Sequence, residues 1–228
     1  SVKSVGGELY FTEEITFSSS SLINSHLSQH SSKAREFVHH LKEKYDADFI
    51  FNEIEKMTNL KVLVVGDTII DEYHYCMPLG KSAKSPTISS IFIREEVFAG
   101  GVLAVVNHIE QFAGEVKLVT CLGKKNLQDK IIKKSLSQGV DAKFFEREDG
   151  PTNTKRRYLD KYMNVKLFEV TFMNDHYIDE KLENEVIAYL KKEMPKYDIV
   201  IVTDFGHGFI TPGIIKTVEA SQKYLAVN

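Results

Sequence analysis

Residues 61–75 read KVLVVGDTIIDEYHY, and the first six of them decide the fold. Val62, Leu63, Val64 and Val65 form an unbroken apolar, mostly β-branched run. Such a run predicts a strand buried on both faces, as in a parallel sheet flanked by helices. It ends at Gly66-Asp67, and a second carboxylate, Asp71, follows four residues later. In open α/β sheets ligands bind beyond the carboxyl ends of the strands, so both carboxylates lie where a site is expected. A carboxylate there can accept hydrogen bonds from two neighbouring hydroxyls. A turn or helix-cap aspartate fits the position equally well.

Downstream, residues 98–114 read FAGGVLAVVNHIEQFAG. Gly100-Gly101 opens a helix whose Val102, Val105, Val106, Ile109 and Phe112 fall at helical spacing. Glycines at a helix start let a ligand approach the backbone and its first free N–H groups. A tight strand-to-helix turn needs the same glycines, and the neighbouring Asp71 favours the site.

Strands and helices then alternate. VKLVTCLG (116–123), VDAKFF (140–145) and DIVIVTDFG (198–206) read as further strands. Asn126 is expected to cap a helix carrying Leu127, Ile131 and Leu136 inward. Asp179 is expected to cap a helix built on Leu182, Val186, Ile187 and Leu190. Thr211-Pro212 reads as the cap and first residue of the last helix. This alternation implies an α/β protein with a mostly parallel sheet. PTISSIFIREEVFAGG (86–101) and TKRRYLDKYMNVKLFEVTF (154–172) break the rhythm with alternating, half-exposed patterns. They predict a small β-layer, or lid, over the carboxyl ends of the sheet.

Residues 1–58 read as a separate part: a strand-like GELYFTEE, the serine run TFSSSSLIN, and two helical patterns in 31–45 and 46–57. The start SVKSVGG and the end YLAVN, inside or just after a strand, are expected of a piece of something longer.

Composition narrows the function classes. The chain has 228 residues, 43% hydrophobic and 27% charged, with net charge −3. That charge gives no electrostatic reason to expect nucleic acid as partner. No apolar run is long enough for a membrane span, and no signal-peptide pattern opens the chain. Two cysteines, Cys76 and Cys121, fit buried free thiols in a reducing, cytoplasmic compartment, although a disulfide between them stays open.

Other candidates carry weaker signals. Asp204 and His207 lie in TDFGHG after the last long apolar strand; His207 reads as a phosphate or hydroxyl contact or as a surface histidine. Lys155, Arg156 and Arg157 can hold a phosphate or defend a strand edge, and for the two arginines the edge role is expected. His26, His30, His39 and His40 lack the partners of a zinc site, so no metal ligand is assigned.

Residues 60–228 resemble the N-terminal two-thirds of the PfkB/ribokinase family of carbohydrate kinases, in its heptose-7-phosphate kinase (ADP-heptose synthase)-like branch. VLVVGDTIIDEYHY resembles the branch's opening strand and lid, FAGGVLAVVNHIEQFAG its glycine-pair helix, TNTKRRYLDKYMNVKLFE its returning lid strand and IVTDFGHG its strand ending in Asp-aromatic-x-Lys-Gly. The resemblance implies a ribokinase-like fold and a sugar pocket. Asp71, Gly100, Gly101, Lys155, Asp204 and His207 would bind substrate. It also implies ATP and Mg²⁺ for the full-length protein, none bound to this part, and a homodimer built through the lid. Ala104 stands where the family has a sugar-contacting Asn, and His207 where the branch has Lys. The family's Gly-x-Gly-Asp motif, which supplies the anion hole and catalytic base, does not occur, so no catalytic residue is assigned. Residues 1–58 resemble the end of a cytidylyltransferase-like nucleotidyltransferase domain, whose serine run, Ser19 and Ser20 within it, would contact nucleotide phosphates. The expected organisation is therefore 1–58 as that tail plus a helical linker, and 59–228 as the kinase part of a bifunctional sugar kinase/nucleotidyltransferase. A non-catalytic sugar- or nucleotide-binding module on the same fold is the alternative.

Overall fold

The computed structural model describes Gly6, residues 31–221 and residues 224–228. The strand-like GELYFTEE, Ser19, Ser20, His26 and His30 lie outside the described residues. The chain divides into two compact units, Ser1–Phe51 and Asn52–Asn228. In the first, α1 (Ser32–Lys44) is capped by Ser31, whose hydroxyl accepts from the Ala34 N–H at 3.2 Å. Helix α2 (Ala47–Lys56) begins there, with Asp46 accepting from the Phe49 N–H at 2.7 Å.

The second unit is built on two sheets. The larger contains β1 (Lys61–Gly66), β4 (Glu115–Gly123), β5 (Val140–Arg147), β8 (Ile199–Thr203) and β9 (Tyr224–Val227) in the order β5-β4-β1-β8-β9. Every pairing in it is parallel. Period-two alternation sends successive β1 residues to opposite faces. Leu63 and Val65 enter one apolar cluster with Val186, Leu190, Ile214 and Val218, from α5 (Glu180–Glu193) and α6 (Pro212–Glu219). Val62 and Val64 enter the other, with Val102, Leu103, Val106 and Ile132, from α3 (Val102–Glu110) and α4 (Asp129–Ser135). Asp179 and Thr211 cap α5 and α6 as expected, accepting from Leu182 N–H at 2.8 Å and Ile214 N–H at 3.2 Å.

The smaller sheet has the order β3-β2-β6-β7, from β2 (Thr68–Lys81), β3 (Ile88–Gly101), β6 (Thr154–Asp160) and β7 (Lys166–Phe172). The predicted second sheet is present: 86–101 supplies β3, 154–172 folds into both β6 and β7, and the chain also continues from Asp67 directly into β2, which runs 14 residues. One cap is corrected. Helix α4 begins at Asp129, after Gln128 in the left-handed region at φ 56°, and Asn126 does not cap it. The Lys124–Pro151 bridge and the Thr152 N–H donating to the Asn126 carbonyl tie that segment to the neighbouring loop.

Candidate functional site

The site forms where the lid leaves the large sheet. The turn from β1 needs Gly66, because a Cβ there would collide with the Thr203 side chain and carbonyl. Asp67 follows, 1% exposed. Its carboxylate accepts from the backbone N–H groups of Phe205 (2.9 Å), Phe209 (3.3 Å) and His207 (3.5 Å). Burial raises its pKa, and these donors pull in the opposite direction. Asp67 thus shapes the loop after β8. Its carbonyl oxygen accepts from the Val102 N–H at 3.0 Å, which fastens the start of α3 beside it.

Pleating collects the next set. Along β2 and β6, Asp71 pairs in register with Lys155, and Tyr73 with Arg157; Arg157 pairs in turn with Glu169 of β7. Paired residues in a ladder share a face, as do residues two apart along a strand. One face of the lid therefore carries Asp71, Tyr73, Lys155, Arg157 and Glu169. The opposite face carries Glu72, His74 and Arg156, where Arg156 Nε donates to Glu72 at 2.5 Å.

Arg157 links the first face together. It donates to Asp71 Oδ1, its Nε lies 2.8 Å from Glu169 Oε2, and its guanidinium sits 5.2 Å from the Tyr73 ring centroid. Asp71 Oδ2 lies against Gly100, so closely that a Cβ there would overlap it. Gly101 has φ +57°, and a Cβ would meet the Asp67 carbonyl at 2.5 Å. Asp71, the glycine pair and the α3 start are thus one constellation. The expected edge role of Arg157 is set aside by this contact. The parity of Asp71 and Arg157 on paired strands could have shown it, had the parallel β2–β6 register been known.

Lys155 makes no side-chain hydrogen bond or ion pair among the described residues. It stands near enough to His207 to affect its charge. His207 is 8% exposed, and neither ring nitrogen has a hydrogen-bond partner. Its pKa is lowered, by burial first and by Lys155 second. Asp204 is exposed and accepts from the Gly206 N–H at 2.8 Å. It borders a cleft of about 430 Å³ with Asp175, His176, Tyr177 and Gly208. Ala104 is exposed on α3. Cys76 and Cys121 are free, and burial pushes the Cys121 thiol up to about 12. His39 and His40 are exposed beside Glu43, each at 3.3 Å. Among the described residues no three His, Cys, Asp or Glu side chains gather to hold a metal ion. No described helix is long and apolar enough to cross a membrane.

A parallel five-stranded sheet with helices on both faces, joined to a four-stranded sheet that carries Asp71 and the glycine pair, defines a ribokinase-like fold. Solved structures with that architecture match it. A carbohydrate kinase from Agrobacterium tumefaciens gives a TM-score of 0.52 at 16% identity, covering 74% of this chain and 53% of that one. Escherichia coli phosphofructokinase-2, in complex with fructose-6-phosphate, gives 0.51 at 10% identity, covering 74% and 54%. By sequence the chain is a homologue of the bifunctional HldE proteins, in agreement with the PfkB/ribokinase resemblance of its motifs. HldE of Trichlorobacter lovleyi is 24% identical over 177 residues, and HldE of Wolinella succinogenes 28% identical over 167. Those matches take in 77% and 72% of this chain. The chain spans about a third of the length of these curated relatives, 36% and 34%. No family model matches it.

Proposed function

We propose that this chain carries the sugar-binding part of a carbohydrate kinase. The full-length protein would transfer the γ-phosphoryl group of ATP to a hydroxyl of a sugar or sugar phosphate, a heptose phosphate being the class that the HldE relationship suggests. The observation that carries this reading is Asp71 of β2 set against Gly100 of β3, within the lid sheet and beside the start of α3. Asp71 would accept hydrogen bonds from sugar hydroxyls. Gly100 and Gly101 would let the ring approach the backbone, Arg157 would hold the carboxylate in place, and Lys155 would meet an acidic group on the ligand. Asp204 and His207 would complete the rim.

Phosphoryl transfer relies on positioning and charge stabilisation by metal and donors. In this proposal ATP and Mg²⁺ serve the full-length protein, as the kinase relatives suggest, and the part played here is binding and orientation. Residues 1–58 are proposed as the tail of a nucleotidyltransferase-like domain and 59–228 as the kinase part. The protein would be cytoplasmic, its two buried thiols free.

The test is turnover of the full-length gene product with ATP and Mg²⁺ against a panel of sugars and sugar phosphates. Asp71→Asn should lower kcat/KM by roughly tenfold to a hundredfold, the loss of one charge-assisted hydrogen bond to substrate. A non-catalytic binding module is the second reading. It is favoured by exposed Ala104 and by the cation already seated on Asp71. Sugar binding without any turnover would select it.

A further inference from the structure

Three aromatic rings near Asp71 share its face of the lid sheet, and two of them are already used. Along β2, Asp71, Tyr73 and Tyr75 lie on that face by period-two alternation. The Arg157 guanidinium sits over the Tyr73 ring at 5.2 Å. The Arg94 guanidinium sits over the Tyr75 ring at 3.8 Å, and the Tyr75 hydroxyl donates to Glu96 Oε2 at 2.8 Å. The third ring is Phe98 of β3, directly opposite Asp71 in the antiparallel β2–β3 register. Opposed residues of such a pair share a face, with Cβ atoms about 5 Å apart. Phe98 meets Tyr73 edge-on, with centroids 5.8 Å apart and planes at 76°. It remains 51% exposed. A single exposed apolar residue is ordinary on a surface; the place opposite Asp71 sets this one apart. The carboxylate itself leans toward β3. Its Oδ2 lies over Gly100, two residues beyond Phe98 on the same face. A hydrogen-bond acceptor and an open aromatic ring therefore stand side by side on adjacent strands.

We propose that Phe98 is a stacking platform for the ring of the ligand, and that the ligand binds as a cyclic sugar with one apolar face. The inference rests on the sugar-pocket reading and deepens it by naming the form of the sugar. A pyranose carries its hydroxyls around the rim, and where its C–H bonds gather on one side they make a face without polar groups. An aromatic ring is negative on its face and attracts such hydrogens. Asp71 then accepts from hydroxyls at the rim while Phe98 covers the face, so the two side chains hold the sugar from different directions. Stacking also removes the open side of Phe98 from water. An open-chain polyol offers hydroxyls to Asp71 but no rigid face to Phe98.

The test is calorimetric titration of the full chain with a heptose 7-phosphate and with the open-chain heptitol phosphate made from it by borohydride reduction. Phe98→Ala should weaken the heptose 7-phosphate by about tenfold, the worth of one aromatic contact. It should weaken the heptitol phosphate much less, so the preference for the ring form shrinks. Phe98→Tyr keeps the ring and should bind within about twofold of wild type. The chain contains no tryptophan. Phe98→Trp therefore places a fluorophore at the platform, and its emission should change when heptose 7-phosphate binds. Phe92→Trp is the control: Phe92 is 54% exposed and rests on His74 of the opposite face, at 5.5 Å between centroids, and its emission should stay unchanged. Wild-type affinity in Phe98→Ala, an equal loss for both ligands, an equal loss in Phe98→Tyr, or Phe98→Trp emission indifferent to saturating ligand overturns the platform and leaves the sugar pocket standing. A loss of affinity that appears only where sedimentation velocity shows a fall in mass makes Phe98 a contact between copies and overturns it as well. If wild type binds neither ligand, the pocket reading fails, and the proposal with it.

Discussion

At the scale of single residues, the two adjacent glycines have different duties, and substitution separates them. Gly101 has a left-handed φ of 57°, and an added Cβ would meet a backbone carbonyl that cannot give way. Gly101→Ala therefore loads both a steric and a conformational penalty on the fold, about 2–4 kcal/mol together. Gly100 has no positive φ, and its added Cβ would overlap the Asp71 carboxylate, with the Ile69 carbonyl at an ordinary contact of 3.5 Å. That carboxylate can swing away by changing rotamer, at the loss of its contact with Arg157. Gly100→Ala should therefore cost about 1 kcal/mol or less in urea-induced unfolding yet remove most sugar affinity. Equal stability losses for the two variants would refute this division of roles.

At the scale of the element, the lid sheet has an exposed apolar edge. Strand β3 is an edge of its sheet, and Ile88, Ile91, Phe92 and Ile93 on it are exposed. Unpaired apolar edges invite pairing with another chain unless charge or proline blunts them. The lid is therefore expected to build a homodimer, and Ile91→Lys, which puts a charge at the edge, should halve the mass seen by sedimentation velocity. A wild-type monomer, or a dimer indifferent to Ile91→Lys, would dismiss the lid as the interface. Elements also mark how far sequence alone reached. The strand at 61–66 was legible because Val62 to Val65 allow nothing but burial on both faces. The caps at Asp179 and Thr211 were legible because a cap is a local hydrogen bond. Asn126 misled for the opposite reason: a bridge from Lys124 to Pro151, 27 positions on (151 − 124), holds that segment. Arg157 was undervalued because its meaning depends on the β2–β6 register, which joins Tyr73 to a residue 84 positions away (157 − 73).

For the molecule as a whole, the decisive feature of the second unit is that one strand serves two cores. Leu63 and Val65 pack with α5 and α6, and Val62 and Val64 with α3 and α4. Neither cluster can lose its packing without loosening β1, and β1 cannot leave without opening the pocket at Gly66-Asp67. The two faces should therefore melt together. Leu63→Ala and Leu118→Ala remove fully buried side chains from opposite faces. Each should cost about 3 kcal/mol, from lost transfer energy plus the cavity left behind. For a unit of this size that lowers Tm by about 6–12 °C. Both variants should shift one shared transition, followed by circular dichroism for the helices and by sugar affinity for the pocket. Two separable transitions, with Leu63→Ala moving only one and Leu118→Ala only the other, would mean that the faces fold independently. The pocket would then depend on the α3 face alone, because the glycine pair leads into α3 and Asp71 rests on it.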